Sequence, residues 1–437
     1  MKKVSVIGGG LAGIEAAYQV SKYGAKVDLY DIKPTGKTEG HELPFLGEMI
    51  CSNSFGSVSL STSSGLLQNE LKELDSFYLK NAAKFRVPAG NSYSVDRIKL
   101  AKHLTSEIKK IPEINFICNE VIDIPVSDAP VIVATGPLTS KKMAESISSF
   151  TGRKNLFFYD STSPIVNLNS LDMDKLFWAS RYDKGEADFL NIPLNKEEYH
   201  EFVDDLINGE KVTIRDFEDK KFFEACLPVE EIALRGKESL AFGPMKPVGL
   251  KSTPESDDNY AVVQLRQDDM NKKLFQLVGF QTRLKWGEQK RIFRKLPGLK
   301  EAEFERFGRM HRNTYINAPV IITGIYQSKK SRSVYFAGQI SGVEGYLESI
   351  CSGLLCGISA GRQATGGNIS EPPSDTASGS LLRYIKGGDW SNFKPSKFSF
   401  GLLPDMKIKG KSKREKKEIR SNQAIEELKK WIKKEGI

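Results

Sequence analysis

Short apolar runs and helical stretches alternate in a regular order at the start of this 437-residue chain. Val4 to Ile7 reads as a buried strand, and an alanine-rich helical stretch follows from Ile14. A second apolar run, Val27 to Tyr30, reads as another strand and ends at an acidic residue. Strand, helix and strand within about 30 residues predict a parallel α/β unit.

The turn after the first strand carries three glycines in the spacing G-x-G-x-x-G, namely Gly8, Gly10 and Gly13. Gly8 allows a tight turn, Gly10 lets a pyrophosphate reach the backbone, and Gly13 lets helix and strand pack. Asp31, at the end of the second strand, is placed to accept a hydrogen bond from a ribose hydroxyl. The unit therefore predicts a dinucleotide-binding fold. Since the fingerprint occurs once, a nicotinamide reductant would bind only transiently.

A second glycine-rich segment lies more than 300 residues downstream. Val334 to Gly338 reads as a strand, and a loop with Gly342, Gly345 and Tyr346 leads into a Gly/Ala-rich helical run. A strand, loop and helix that return to the same sheet are what a flavin domain uses to cover the isoalloxazine ring. The two segments together predict one FAD, bound by a discontinuous Rossmann-like domain of the α/β class.

The composition changes between these two segments. Residues 175–320 are rich in Phe, Lys and Glu and contain strand-like pieces at Ala261 to Gln264 and Leu277 to Phe280, whereas 367–380 has the composition of a loop. The middle of the chain is therefore predicted to be an inserted α/β domain. The predicted division is 1–175 for the first part of the FAD-binding domain, 176–320 for the inserted α/β domain, 321–406 for the second part of the FAD-binding domain and 407–437 for a basic C-terminal tail.

The net charge of +9 is concentrated in that tail. Residues 407–437 hold twelve Lys or Arg against five Glu. Apolar residues recur there at helical spacing. Either these apolar residues dock a surface helix whose charges are solvated, or the lysines of the tail contact an RNA backbone. Both readings stay open. The apolar stripe consists of Ala424, Ile425, Leu428, Trp431 and Ile432.

The remaining composition argues against several classes of protein. No run of about 18 apolar residues is present to cross a bilayer, and glycines interrupt the N-terminal apolar stretch, which argues against a signal peptide. The five cysteines are an odd number without a C-x-x-C pair. We therefore expect a reduced cytoplasmic protein that binds neither a membrane nor a metal.

Two cysteines are candidates for thiol chemistry. Cys51 lies among small polar residues on a predicted loop, where it is either an accessible thiol or a structural one. Cys226 precedes a turn, and the nearby Glu224 and Glu230 would raise a thiol pKa. On local grounds alone, packing is the better interpretation of Cys226.

One histidine and one cation-rich segment are candidates for binding. His311 has an arginine on either side and reads as an anion site or as part of a solvent-facing basic segment. Arg283, Lys285 and Trp286 combine cations with an aromatic ring, which is compatible with base stacking and phosphate contact.

From residue 4 to about 430, the chain resembles the TrmFO family of folate- and FAD-dependent tRNA uracil-C5 methyltransferases, which are related to the GidA flavoproteins. The resemblance rests on ordered segments at consistent spacing. These segments include VIGGGLAGIEAA, ICSNS, VATGPLTS, AFGPMKPVGL, LVGFQTRLKWGEQK, MHRNTYIN and FAGQISGVEGY.

The resemblance implies a reaction and roles for named residues. Methylenetetrahydrofolate would donate the carbon, reduced FAD the electrons, and NAD(P)H would reduce the flavin. Cys226 would add to C6 of the T-loop uridine of tRNA to give 5-methyluridine, and Cys51 would remove the C5 proton. His311 would lie against the folate ring, and Tyr346 near the flavin. The alternatives are a ribosomal RNA target, a flavin oxidoreductase with a small-molecule substrate, and a non-catalytic RNA-binding factor.

Overall fold

A computed structural model describes residues 3–36, 38, 40–183, 186–213, 227–251, 259–387 and 391–437. Cys226 lies outside the described residues, so its role stays a prediction from the sequence. Within the described part, no helix combines the length and apolar character needed to cross a bilayer. The same residues contain no group of three or more His, Cys, Asp or Glu side chains arranged to hold a metal ion.

The strands are given in chain order. They are β1 Val4–Ile7, β2 Val27–Asp31, β3 Ser54–Ser57, β4 Arg86–Val87, β5 Ser92–Val95, β6 Ile114–Cys118, β7 Val131–Val133, β8 Leu156–Ser161, β9 Ile165–Asn167, β10 Phe177–Ala179, β11 Phe189–Leu194, β12 Ala261–Gln267, β13 Leu274–Leu277, β14 Phe304–Arg306, β15 Met310–Tyr315, β16 Ile322–Thr323, β17 Gln327–Ser328 and β18 Val334–Phe336.

The helices follow the same convention. They are α1 Leu11–Ser21, α2 Ser63–Glu73, α3 Phe77–Ala82, α4 Arg97–Lys109, α5 Lys141–Thr151, α6 Lys196–Asn208, α7 Val229–Leu234, α8 Ser239–Phe242, α9 Trp286–Phe293, α10 Ala318–Ile321, α11 Tyr346–Ala364, α12 Ala377–Gly387 and α13 Lys413–Glu435.

The main sheet brings both ends of the chain together. Its strand order is β16-β17-β18-β7-β1-β2-β6, and the five strands from β18 to β6 are parallel. Strand β18 pairs with β7, with Val334 opposite Val131. The predicted α/β class and the discontinuous Rossmann-like fold are therefore confirmed.

Helix α11 returns from the C-terminal segment and packs directly on α1. A Cβ added at Gly353 would lie 2.3 Å from the carbonyl oxygen of Ala12, and one at Gly357 would lie 2.6 Å from that of Ala16. Real Cβ contacts are never this short, so these two positions need glycine for the helices to approach so closely. This packing fixes the downstream segment beside the N-terminal glycine turn.

A second, antiparallel sheet has the order β10-β11-β12-β13-β9-β14 and a separate apolar core. Strands β8 and β15 pair as an antiparallel ribbon, in which β8 comes before the strands of this sheet in the chain and β15 comes after them. Strand β9 precedes the predicted boundary at 175/176 but pairs within this second sheet. The predicted division into domains stays a prediction.

Two elements differ from the sequence-based expectation. The strand expected at 277–280 lies at Leu274–Leu277, because the chain turns at Gly279, whose φ is +77°. Helix α12 begins at Ala377, inside the predicted loop 367–380. The buried carboxylate of Glu70 accepts hydrogen bonds from the amides of Ala377 (2.5 Å) and Ser378 (2.9 Å), which provides the start of that helix with distant acceptors.

The C-terminal helix α13 is docked through its second half. Ala424, Leu428 and Trp431 are buried, and the Ser421 hydroxyl donates to the carbonyl of Leu60 over 2.6 Å. The helix also begins earlier than the apolar stripe predicts, because Ser412 and Glu415 form a capping box at its start. The stripe therefore docks the helix, while the basic first half remains at the surface.

Candidate functional site

A cavity of about 550 Å³ opens at the carboxyl ends of the main-sheet strands, where α/β folds bind their ligands. Most of the residues singled out from the sequence line it. Gly13 and Gly342 do not, and Cys226 lies outside the described residues. The predicted residues in the wall are Gly8, Gly10, Asp31, Cys51, His311, Gly338, Gly345 and Tyr346.

The three glycines of the N-terminal turn meet different surroundings. Gly8 has a φ of +105°. A Cβ at Gly13 would lie 1.7 Å from the carbonyl oxygen of Gly8, so Gly13 is required for packing inside the protein. A Cβ at Gly10 would meet no protein atom within 4 Å. Gly10 thus leaves free space at the N-terminus of α1, where a phosphate group finds amide donors and the positive end of the helix dipole.

We name the glycine turn and the free space at the start of α1 the glycine cradle. Asp31 lies at its adjacent side. One carboxylate oxygen accepts from the amide of Gly9 over 2.6 Å, and the other accepts from the amide of Lys33 over 2.8 Å. Each carboxylate oxygen can accept more than one hydrogen bond. The side chain is therefore fixed by the protein and still has capacity to accept from a ribose hydroxyl.

Gly342 lies outside this cavity. A Cβ there would come within 2.6 Å of the Phe393 ring, and its φ of +88° favours glycine. The structure therefore gives Gly342 a packing role between the loop and Phe393. Gly338 and Gly345, on the same loop, do line the cavity.

Cys51 and Tyr346 meet at the cavity wall although they are distant in sequence. The Tyr346 hydroxyl accepts hydrogen bonds from the amides of Cys51 (2.8 Å) and Ser52 (2.9 Å). The Cys51 thiol is half-buried and lies 3.8 Å from the carbonyl oxygen of Ser161. Burial raises the pKa of Tyr346 far above its usual value. Tyr346 is therefore a neutral phenol that fixes the backbone carrying the thiol.

A buried arginine and a buried glutamine hold the carbonyl side of the backbone around Cys51. Arg306 donates to the carbonyl of Ile50 over 2.9 Å, and the Gln276 amide donates to the carbonyl of Cys51 over the same distance. Arg97 forms a buried ion pair with Asp268 at 3.1 Å. Burial, followed by the charge of Arg97, lowers the pKa of Arg306 to about 10. The loop that carries Cys51 is thus held from both sides.

His311 lies on β15 and is buried, so the solvent-facing alternative is wrong for this residue. Its partner across the ribbon is Asp160, with 3.9 Å between His311 Nε2 and the carboxylate. Arg309 stacks on Trp286 at 5.1 Å, and Arg312 stacks on the Phe157 ring at 4.0 Å. The ribbon therefore directs the imidazole into the cavity and seats both flanking arginines on aromatic rings.

The cation and aromatic cluster around Trp286 lies mostly in ion pairs. The Arg283 guanidinium donates to Glu231 over 2.8 Å, and Lys285 pairs with Glu210 at 2.7 Å. Trp286 is half-exposed and stacks on Phe307. The aromatic part of the predicted cluster is accessible, whereas its cations are already partnered by acidic side chains.

Sequence reasoning missed an acidic group in the same cavity. Glu344 is buried close to Asp160 and Glu348, and Gln339 donates to its carboxylate. Burial, followed by the charge of Asp160, raises the pKa of Glu344 to about 8. Glu344 is therefore mainly protonated at neutral pH. Its position within the GVEGY segment was the only signal in the sequence.

Glu344→Gln is expected to stabilise the protein increasingly as the pH rises. In the wild type, the folded state retains this proton between the ordinary Glu pKa of about 4.3 and about 8, so stability falls with pH across that window and stays reduced above it. A glutamine has no proton to lose. Thermal unfolding of both proteins between pH 5 and 9 checks this, and a constant difference in melting temperature would contradict it.

Comparison with known proteins gives the family. A relative from Natranaerobius thermophilus, named methylenetetrahydrofolate--tRNA-(uracil-5-)-methyltransferase TrmFO, is 47% identical over 98% of this chain and 99% of its own length. The relative of the same name from Bacillus subtilis is 45% identical over 97% of each chain. The chain belongs to the TrmFO family. A family model described as glucose inhibited division protein A also matches residues 3–368. The resemblance inferred from the motifs is thereby confirmed.

Solved structures show the same fold as this TrmFO-family chain. GidA from Aquifex aeolicus in its form II crystal has a TM-score of 0.73 at 17% identity, covering 100% of this chain and 74% of that one. Its form I crystal gives a TM-score of 0.69 at 16% identity. At this level of identity the similarity concerns the fold, and it agrees with the α/β class.

Proposed function

We propose that this protein methylates C5 of a tRNA uridine in the cytoplasm, using methylenetetrahydrofolate as carbon donor and reduced FAD as reductant, with NAD(P)H reducing the flavin. The observation that carries the proposal is the cavity of about 550 Å³ in which the glycine cradle meets Cys51 and His311. It occurs in a chain 47% identical over 98% of its length to a protein named for this reaction. The target would be the T-loop uridine, which becomes 5-methyluridine.

The residues around the cradle fit a flavin dinucleotide. Free space at Gly10 admits a pyrophosphate at the start of α1, and Asp31 retains acceptor capacity for a ribose. Gly8, Gly338, Gly345 and Tyr346 complete the wall that would hold the cofactor. When bound, FAD supplies the electrons that convert the transferred methylene unit into methyl.

Two cysteines have different roles in the proposed reaction at the uracil ring. C5 of uracil is a poor nucleophile, and a thiolate that adds to C6 makes it enolate-like. The resemblance to the TrmFO family assigns this addition to Cys226. Cys51 takes the C5 proton, for which a thiol on the cavity wall with a fixed backbone is suitable. His311 lines the same cavity and would contact the ring of the folate.

The proposal is tested by transfer of label from methylene-labelled folate to RNA by the purified protein. We expect a yellow protein that labels C5 of the T-loop uridine in a tRNA transcript and depends on NAD(P)H. Label that appears only in ribosomal RNA would change the substrate. NAD(P)H oxidation without any RNA product would indicate a small-molecule oxidoreductase, and RNA binding that is indifferent to flavin, without labelling, would indicate a non-catalytic factor.

A further inference from the structure

A second cavity, of about 430 Å³, lies between residues 57–62 and the first turns of α13. We name it the basic groove. It is lined by the serines and threonine of that segment, by Asn91, and by Lys413, Arg414 and Lys417. None of the described residues in its wall carries a carboxylate. Hydroxyl, amide and cationic groups are the ones that proteins use to bind phosphodiesters.

The basic groove shares one segment of chain with the cavity of about 550 Å³ described above, which we name the flavin cavity after its proposed cofactor. Residues 54–56 and 63–64 line the flavin cavity, and Ser57, Ser59, Ser61 and Thr62 between them line the groove. Helix α13 is held against this segment by the hydrogen bond from Ser421 to the carbonyl of Leu60. The docked half of the helix therefore fixes the basic half beside the segment that also lines the flavin cavity.

The charge on α13 is concentrated at the groove. Residues 411–420 hold six Lys or Arg against two Glu, whereas 421–437 hold four Lys against three Glu. Arg414 pairs with Glu418 at 2.9 Å along the helix. In the part of the chain that the structure describes, Lys413 and Lys417 form no ion pair, and Lys417 lies 5.5 Å above the Phe400 ring. Positive charge at the groove is thus left without a full internal counterpart.

We propose that the basic groove binds the phosphodiester backbone of the RNA substrate next to the target nucleotide. The target base then enters the flavin cavity on the other side of the shared segment. A base that is modified inside a pocket has to leave its stack, so its flanking phosphates need a fixed support close to the entrance. The groove offers cations and hydroxyls at that place. This inference rests on the proposed function.

The test removes three charges from the groove and three from the docked end of the same helix. The groove variant is Lys413→Gln, Arg414→Gln and Lys417→Gln, and the control variant is Lys430→Gln, Lys433→Gln and Lys434→Gln. Binding of a T-arm RNA is measured over a series of salt concentrations. We expect the log-log salt slope of the groove variant to fall by about 1 to 3, since each lost phosphate contact removes about 0.7 to 0.9. The control should keep the wild-type slope.

A second variant tests the groove without removing a cation. Asn91→Asp is isosteric and places a negative charge at an exposed position in the groove wall. We expect it to weaken RNA binding, while flavin content and melting temperature stay at wild-type values. The proposal would be overturned if the salt slope fell equally in the groove and control variants, or if the groove variant kept the wild-type slope. A groove variant that loses binding to phosphatidylserine vesicles but keeps its RNA slope would also overturn it.

The outcomes of the binding test and the labelling test are independent of each other. If the wild type transfers no label to RNA but its salt slope still depends on the groove, the proposed methylation is wrong and the groove stands as an RNA site. If label is transferred and the groove variant binds RNA as the wild type does, the methylation stands and the groove proposal is wrong.

Discussion

Gly10→Val should yield a folded protein without flavin. Its side chain would occupy the space that no protein atom fills, at the place where a pyrophosphate would approach α1. The backbone accepts the change, because Gly10 has a φ of −76° and the loss of glycine at an N-cap costs about 1 kcal/mol. We therefore expect a colourless protein whose melting temperature does not rise when FAD is added, since a ligand stabilises only a protein that binds it.

Gly13→Ala is the matched comparison within the same turn. Its Cβ would lie 1.7 Å from the carbonyl oxygen of Gly8, so α1 would have to move relative to β1. Such overpacking costs about 1 to 3 kcal/mol or more. We expect Gly13→Ala to unfold at lower temperature even without FAD, unlike Gly10→Val. Stoichiometric flavin absorbance in purified Gly10→Val would refute the assignment of the glycine cradle as the site of the FAD pyrophosphate.

The parts of the fold that the sequence predicted depend on neighbours in the chain. β1, the glycine turn, α1 and β2 follow one another within about 30 consecutive residues. The return through β18 into α11 is likewise a local sequence pattern. Apolar spacing placed the stripe of α13 on one helical face but left docking and RNA contact both open, and it is the burial of Ala424, Leu428 and Trp431 that shows the stripe to be docked. The start of α12 was missed because its acceptor, Glu70, is about 300 residues away.

The chemistry of the cavity depends on partners that no local pattern reveals. Arg306 reaches the carbonyl of Ile50 across 256 residues of sequence, and His311 faces Asp160 only because β8 and β15 pair in this register. The protonated state of Glu344 arises from the same long-range assembly. Motifs therefore locate the candidate site, whereas the supports and charges around it follow from tertiary structure.

The two thiols should be separable with RNA that carries 5-fluorouridine at the target position. After the thiolate of one cysteine adds to C6, normal turnover requires loss of the C5 proton. Fluorine cannot leave as a proton does, so the C6 adduct should accumulate as a complex that survives denaturing electrophoresis. We expect Cys226→Ala to form no such complex and to lose methylation completely, because it lacks the nucleophile.

Cys51→Ala should give the opposite pattern, namely a covalent complex with 5-fluorouridine RNA together with a methylation rate lowered by about 10² to 10⁴, the usual contribution of a general base. Cys118→Ala is the control, since this thiol is exposed at the end of β6 and does not line the flavin cavity; it should retain both adduct formation and turnover. Flavin content of each variant shows whether the fold is intact. If Cys51→Ala abolished the adduct while Cys226→Ala kept it, the roles would be reversed, and the half-buried thiol beside Tyr346 would be the group that attacks the uracil ring.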